Sequence, residues 1–347
     1  MSKQLLSSVI LCLCLYTGAI AQTLYVDAVK GKDGASGTLS EPLASLQQAV
    51  TLAKAFTGKA TITIKISPGL YQSSGLLTIE SGYAAGDTAK YTLEAAVMPD
   101  DTSWNPGKMP VISSIGTNND KRYFNHCAGI IVARPNVCIR GLKFTGNPNP
   151  AVAYYYPIVR DSLTLNNLEL SQCYFIGERN SAPIQGAVYV EGPGIRVDHC
   201  IFYGCKNAVL AFEKMKGFSL THSIIYGAYE CAVWYGWNGQ PNEAFTFSDN
   251  IVSHCSYFWY ASNWPDRSVY RFDHSLICEN GEYAQTSGKT AYEKLTVQFP
   301  ENDVRKTGTV KLVEVGIDGL PHDYLNLAPG SDGADIGAGI FKVRIEH

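Results

Sequence analysis

Apolar and polar residues alternate in short runs through most of this chain, and between Gly186 and Tyr283 the same run keeps returning. The segments IRVDHCIFYG, FSLTHSIIYG, FTFSDNIVSH and YRFDHSLICE each hold a short alternating stretch, a polar turn and a second β-branched stretch. Their turn residues His199, His222, Asp249 and His274 follow one another at 222−199 = 23, 249−222 = 27 and 274−249 = 25. Period-two alternation predicts strands, and a period near 25 with no helix inside it predicts a repeat architecture. Two looser copies, IIVARPNVCIRGLKFTGNP and LTLNNLELSQCYFIGERN, carry Gly141 and Gln172 in the same slot. The step 199−172 = 27 fits the period, whereas 172−141 = 31 predicts an inserted loop around AVAYYYPIV. Six coils are expected between residues 128 and 283.

Hairpins would reverse the chain at turns of about two to five residues, which this spacing does not allow. Winding each unit once around a common axis instead brings equivalent residues about 4.8 Å apart, so like stacks on like. The LxxLxLxxN pattern of leucine-rich repeats is missing, and a propeller blade needs about 40 residues. A parallel β-helix remains.

One amphipathic helix interrupts the strands. Ser40 is placed to cap a helix starting near Pro42, with Leu43, Leu46, Val50 and Ala53 on one face and Gly58 at its end. A strand follows over residues 61–66. An open end of a repeat stack exposes both core and strand edge, so the helix is expected to cover it. The polar, Gly-rich HDYLNLAPGSDGADIGAG is expected to cover the other.

Residues 1–21 join Lys3, an apolar core and Ala19-Ile20-Ala21, the pattern of a cleavable signal peptide. Its apolar run is short for a membrane span. The remainder, 22–347, is expected to form one domain: a cap and first coils over 22–125, clear repeats over 128–283, and terminal coils with a cover over 284–347. A secreted or periplasmic monomer follows.

The segments YVDAVKGKDGASGTLSEPLASLQQAV, ISPGLY and DYLNLAPGSDGADIGA resemble the opening and closing parts of β-helix proteins of the pectate-lyase-like superfamily. The resemblance implies an all-β, single-stranded right-handed parallel β-helix with an N-terminal capping helix. It also implies a glycan bound along one sheet, by a hydrolase, a lyase, an epimerase or a non-catalytic adhesin. The NTD, DD, GHG and RIK signature of the polygalacturonase branch is not found; the single DD is Asp100-Asp101, ahead of the clear coils.

A net charge of −3 gives no basic surface for nucleic acid. Charged residues are 17% of the chain and aromatic ones 11%, a balance that suits sugars better than polyanions. Of ten cysteines, Cys12 and Cys14 lie in the leader. Cys173 and Cys200 share a slot with Ser223, Asn250 and Ser275, which favours a ladder of small buried thiols over a disulfide framework. No Cys/His spacing resembles a zinc site.

Chemistry is expected on the strands after each copy, AVYVEG, AVLAFEK, AVWYGWN and YFWYASN. With Val188, Val209, Val233 and Phe258 inward, alternation sends Tyr189, Leu210, Trp234 and Trp259 outward in one row, with Trp237 and Tyr154–Tyr156 nearby. Flat aromatics with polar rims suit the C–H faces of sugars; the alternative is a row buried under a loop. Glu191 and Glu213, at the same end of adjacent coils, are the candidate carboxylate pair for hydrolysis, although their registers differ by one. Lys214 beside Glu213 would be the base of a uronate lyase, the one case in which Ca2+ is expected; otherwise no cofactor is. Solvated turn charges are the competing reading of these groups. His222, Asp249 and His274 stack in a turn slot, where satisfying the backbone outweighs binding a metal.

Overall fold

The computed structural model describes residues 22–121, 124–236, 243–262, 270–287, 299–317 and 319–343. The leader expected over residues 1–21 and the expected site residue Trp237 therefore lie outside the described residues. Every pairing between described strands is parallel, and the chain winds as a right-handed parallel β-helix. Each regular coil contributes three short strands, for example Ile195–Asp198, Ile201–Tyr203 and Asn207–Ala211. The third strands stack into one eight-stranded sheet. Its central members are Tyr155–Arg160, Val188–Val190, Asn207–Ala211, Cys231–Tyr235 and Tyr257–Ser262. No described helix is long and apolar enough to cross a membrane.

The corners explain the repeat. Gly141, Gln172, His199, His222, Asp249 and His274 all adopt a left-handed backbone, with φ between 34° and 71°. A second corner row holds Gly204, Gly227, His254 and Glu279, and a third Asn136, Asn167, Gly194 and Gly217, again all at positive φ. A left-handed residue reverses the local curl of the chain, and these corners each use one. Glycine and asparagine tolerate that conformation best, while the histidines hold it within a polar stack.

Inside the coils, like stacks on like. Phe144, Phe175 and Phe202 lie face to face at 5.0 and 4.9 Å. Beside the first corner, the N–H of Cys200 donates to Ser223 Oγ (3.1 Å), that of Ser223 to Asn250 Oδ1 (2.9 Å), and that of Asn250 to Ser275 Oγ (3.1 Å). Small polar side chains recur there because each satisfies a buried N–H of the neighbouring coil. All eight described cysteines are buried free thiols.

The N-terminal helix runs over Leu46–Ala53, four residues later than expected. Its cap is Ser45, whose Oγ accepts from the Gln48 N–H (3.1 Å) and donates to Asp33 (2.9 Å). Leu43 instead bridges to Val26 in extended form. Pro42 and the turn before it serve that bridge, not the helix. Leu46, Ala49, Val50 and Ala53 join the core, so the helix does cover the first coil. The loop expected around AVAYYYPIV is also displaced, since Tyr155–Arg160 is a strand and the extra length lies on either side of it.

The C-terminal segment covers a flank, not an end. Val310, Leu325, Ile336 and Ile340 pack on an outward apolar row of Tyr174, Ile201, Ile224, Ile251 and Leu276. Tyr174 donates to the Tyr324 carbonyl (2.6 Å), Gln172 to that of Ile340 (3.0 Å), and Lys342 pairs with Asp198 (3.0 Å). Asp100, half of the lone DD, accepts the Lys342 N–H (3.0 Å), which makes it an anchor of this strap.

Candidate functional site

The outer face of the eight-stranded sheet carries a groove of about 630 Å3, within the size range of ligand sites. The strand register builds it. Tyr189 pairs with Leu210, Leu210 with Trp234, and Trp234 with Tyr260, so these four share one outward row. Rings run edge to face along the surface: Tyr156–Tyr189 at 5.4 Å, Tyr189–Phe212 at 5.2 Å, Phe212–Trp234 at 5.7 Å and Trp234–Tyr260 at 4.5 Å. Tyr189 and Trp234, two of the aromatics expected on this face, are half-buried and line the groove.

Trp259 does not. It pairs with Val233 and is 0% exposed, so it faces the interior. The step between equivalent residues is 259−233 = 26, and the expected alignment with Phe258 used 25. A slip of one residue reverses every side chain. Trp259 fills a widened end of the core with Phe245 (5.0 Å), Tyr235 (5.6 Å) and Phe272 (5.0 Å). Phe258 occupies the corner slot of Ala208 and Ala232, also buried. Tyr260 takes the outward place meant for Trp259.

Both expected carboxylates line the groove. Glu191 lies just past Val190, 6% exposed, in the outward row of Phe212. Glu213 lies one register further on the next coil, where its carbonyl accepts the Gly192 N–H (2.9 Å). The chain then turns at Lys214 (φ 55°), which brings the Glu213 side chain back toward the groove. Lys214 itself is exposed and does not line the cavity. Beneath Glu191, the fully buried Arg160 donates to the carbonyls of Glu191 (3.2 Å) and Pro193 (2.9 Å), bracing this turn. Burial lowers the Arg160 pKa to about 10, which still leaves it charged.

Sequence reasoning missed several groove residues. Phe124 comes from an irregular segment, whereas Tyr154 and Tyr156, expected only near the aromatic row, belong to the groove lining itself. Asp161, which is not part of the groove lining, follows Arg160, which pairs with Val190, and so stands beside Glu191 on the preceding coil. Glu230, Lys206, Gln185 and Asn207 form the opposite end of the groove. Burial, with Tyr154 and Glu230 adding, pushes the Tyr156 hydroxyl far above its ordinary pKa, so it stays protonated.

The histidine corner sets imidazoles against carboxylates. His222 Nδ1 lies 3.1 Å from Asp198 Oδ1, and His274 Nδ1 lies 2.7 Å from Asp249 Oδ1. Asp198, His199 and His222 have ligand-like spacing. However, the two imidazoles stack at 4.5 Å and 12°. A metal lies in the plane of each imidazole it binds, and near-parallel rings share no such point. Lys342 already holds the second Asp198 oxygen (3.0 Å).

No family model matches the chain, and no curated protein matches it. Among solved structures it is similar to one described as the complex of XylC with xylose, at 9% identity and TM-score 0.47, over 76% of this chain and 66% of that one. A rhamnogalacturonan lyase is similar at 10% identity and TM-score 0.44, over 92% of this chain and 100% of that one. The GH136 lacto-N-biosidase from Eubacterium ramulus is similar at 9% and 0.45, over 82% of this chain and 68% of that one. No residue role passes across identities this low.

Proposed function

We propose that this protein acts on a polysaccharide or oligosaccharide laid across the outside of the eight-stranded sheet, as a glycoside hydrolase in preference to a uronate lyase. The observation that carries the reading is a single cavity joining a continuous aromatic surface to Glu191 and Glu213 from adjacent coils. Sugar rings stack on the aromatic faces, and the two carboxylates flank the scissile bond. Glu191, nearly enclosed, suits the proton donor to the leaving oxygen; Glu213, more open, suits the group that directs water or attacks the anomeric carbon. Arg160 holds the backbone under Glu191 in place.

A lyase needs a base beside the uronate and neutralisation of its carboxylate. Lys214 lies outside the groove lining. Ca2+ takes six to eight oxygens, and the described groove carboxylates are divided between its two ends, so they do not gather that set.

The test is turnover on a panel of neutral and uronate glycans. Glu191→Gln and Glu213→Gln are each expected to lower kcat at least about a hundredfold, with folding unchanged and no sensitivity to a chelator. Unchanged rates in both variants would sink the assignment. Growth of ultraviolet absorbance on uronates, from a new double bond, would make it a lyase. Glycan binding without turnover would make it a non-catalytic binder.

A further inference from the structure

The end of the groove away from Glu191 and Glu213 holds a polar construction that the proposed chemistry does not use. Asn207 opens the strand Asn207–Ala211 and is 1% exposed. Its Nδ2 donates to the Gln185 carbonyl (2.9 Å) and to Glu230 Oε2 (2.7 Å), and its Oδ1 accepts from the Cys231 thiol (2.8 Å). A buried amide satisfied on both sides adds little net stability over an apolar residue of similar shape. What it does produce is a fixed carboxylate. One Glu230 oxygen is tied to the amide, Lys206 Nζ stands 3.6 Å from the same oxygen, and Glu230, Lys206 and Gln185 all line the groove.

Between the two polar ends lie Leu210, Phe212, Tyr189 and Trp234. From Asn207 to Phe212 the strand rises over five residues, roughly 16 Å, longer than a single sugar ring. A chain bound over the aromatic run therefore places one ring at Glu230 while another reaches Glu191.

We propose that Glu230, held by Asn207, is a specificity-determining residue that accepts hydroxyl hydrogen bonds from an uncharged sugar bound remote from the scissile bond. The inference rests on the glycan reading of the groove and deepens it to a substrate class, neutral glycans long enough to span both ends. A fixed carboxylate makes strong, charge-assisted bonds to hydroxyls. A uronate ring in the same place would set like charges together. Asn207 is a positioning residue, since it acts only through Glu230.

The experiment uses the full chain and neutral xylo-, cello- and chito-oligosaccharides of graded length, with oligogalacturonides as the charged comparison. Affinity is read from tryptophan fluorescence and calorimetry, and turnover wherever it occurs. Glu230→Gln is expected to weaken the longer neutral ligands about tenfold or more, to raise KM with kcat nearly unchanged, and to leave the shortest ligands unaffected. It should also improve oligogalacturonide binding relative to the parent protein. Asn207→Asp should repeat this length profile; if it does not fold, Glu230→Gln alone still decides. Loss of affinity independent of length, or no loss, overturns the inference even if Glu191→Gln abolishes turnover. No binding of any neutral glycan by the parent protein overturns both this inference and the function beneath it.

Discussion

Trp234 and Trp259 occupy neighbouring coils of one sheet and face opposite ways, and that difference sets what each can do. Trp234 shares edge-to-face contacts with Phe212 and Tyr260 on the groove surface. Trp259 is enclosed by Phe245, Tyr235, Tyr270 and Phe272. Trp259→Ala should therefore cost about 3–5 kcal/mol by leaving a core cavity, measured by denaturant unfolding. Trp234→Ala should change stability by less than about 1 kcal/mol yet weaken glycan binding. Equal stability losses would contradict the assigned faces. Glu191, Tyr189 and Trp234 were legible because the coils that carry them keep one register from Val188 to Val233. The register breaks at Tyr257–Ser262, where YFWY offers no small residue to mark the corner that Ala208 and Ala232 mark elsewhere. Asp161, Lys206 and Glu230 were not legible for another reason. They sit at strand ends, where a role depends on the neighbouring coil and not on the period.

Strands here are only three to seven residues long, and the corners between them carry the specification. That is why the fold could be read from the chain. Gly141, Gln172, His199, His222, Asp249 and His274 repeat because this corner takes a left-handed residue in every coil, and small polar residues follow the last three because Ser223, Asn250 and Ser275 each accept a buried N–H. Asn250 tests this most directly. It accepts from the Ser223 N–H (2.9 Å) and donates to the Leu220 carbonyl (2.8 Å) in a fully buried site. Asn250→Ala should cost about 1–3 kcal/mol by orphaning those groups. Asn250→Ser, which restores the residue of the neighbouring coils, should recover part of the loss in the same unfolding measurement. No difference between the two would show that volume, not hydrogen bonding, governs the slot. The helix start was misread at this same scale. Ser40 and Pro42 look like a cap and first turn, but the bridge from Leu43 to Val26 claims that backbone and the cap passes to Ser45.

Over the whole molecule, the C-terminal strap and the histidine corner form one electrostatic device along a flank. Lys342, Asp198, His222, Asp249, His274 and Asp303 alternate between basic side chains and carboxylates, with contacts of 3.0, 3.1, 3.8, 2.7 and 3.6 Å between successive members. The Asp198 hydrogen bond, with the Asp198 and Asp249 charges, raises the His222 pKa against burial and the repulsion of Lys342. Burial opposes ionisation of Asp198, but its bonds to His199, His222 and Lys342 prevail and hold its pKa well below the usual carboxylate range. Burial is likewise outweighed at Asp249, lowered by Ser248 and His274. The signs follow from linkage. The raised His222 contributes stability that is complete below its unfolded pKa of about 6.5 and is lost as pH rises through the higher folded value. The lowered carboxylates contribute stability that is complete above about 3.9 and is lost as pH falls through their folded values. Stability of the strap should thus be greatest between roughly pH 4 and pH 6.5 and should decline through neutrality. His222→Gln should flatten the decline on the alkaline side and leave the acid side in place. The measurement is thermal unfolding across pH, joined to limited proteolysis of the segment after residue 306. A parent and a His222→Gln protein with the same slope from about pH 6 to pH 8 would show that the corner does not hold the strap. Greater protection of the segment at alkaline pH would reverse the sign argued from Asp198 and His222.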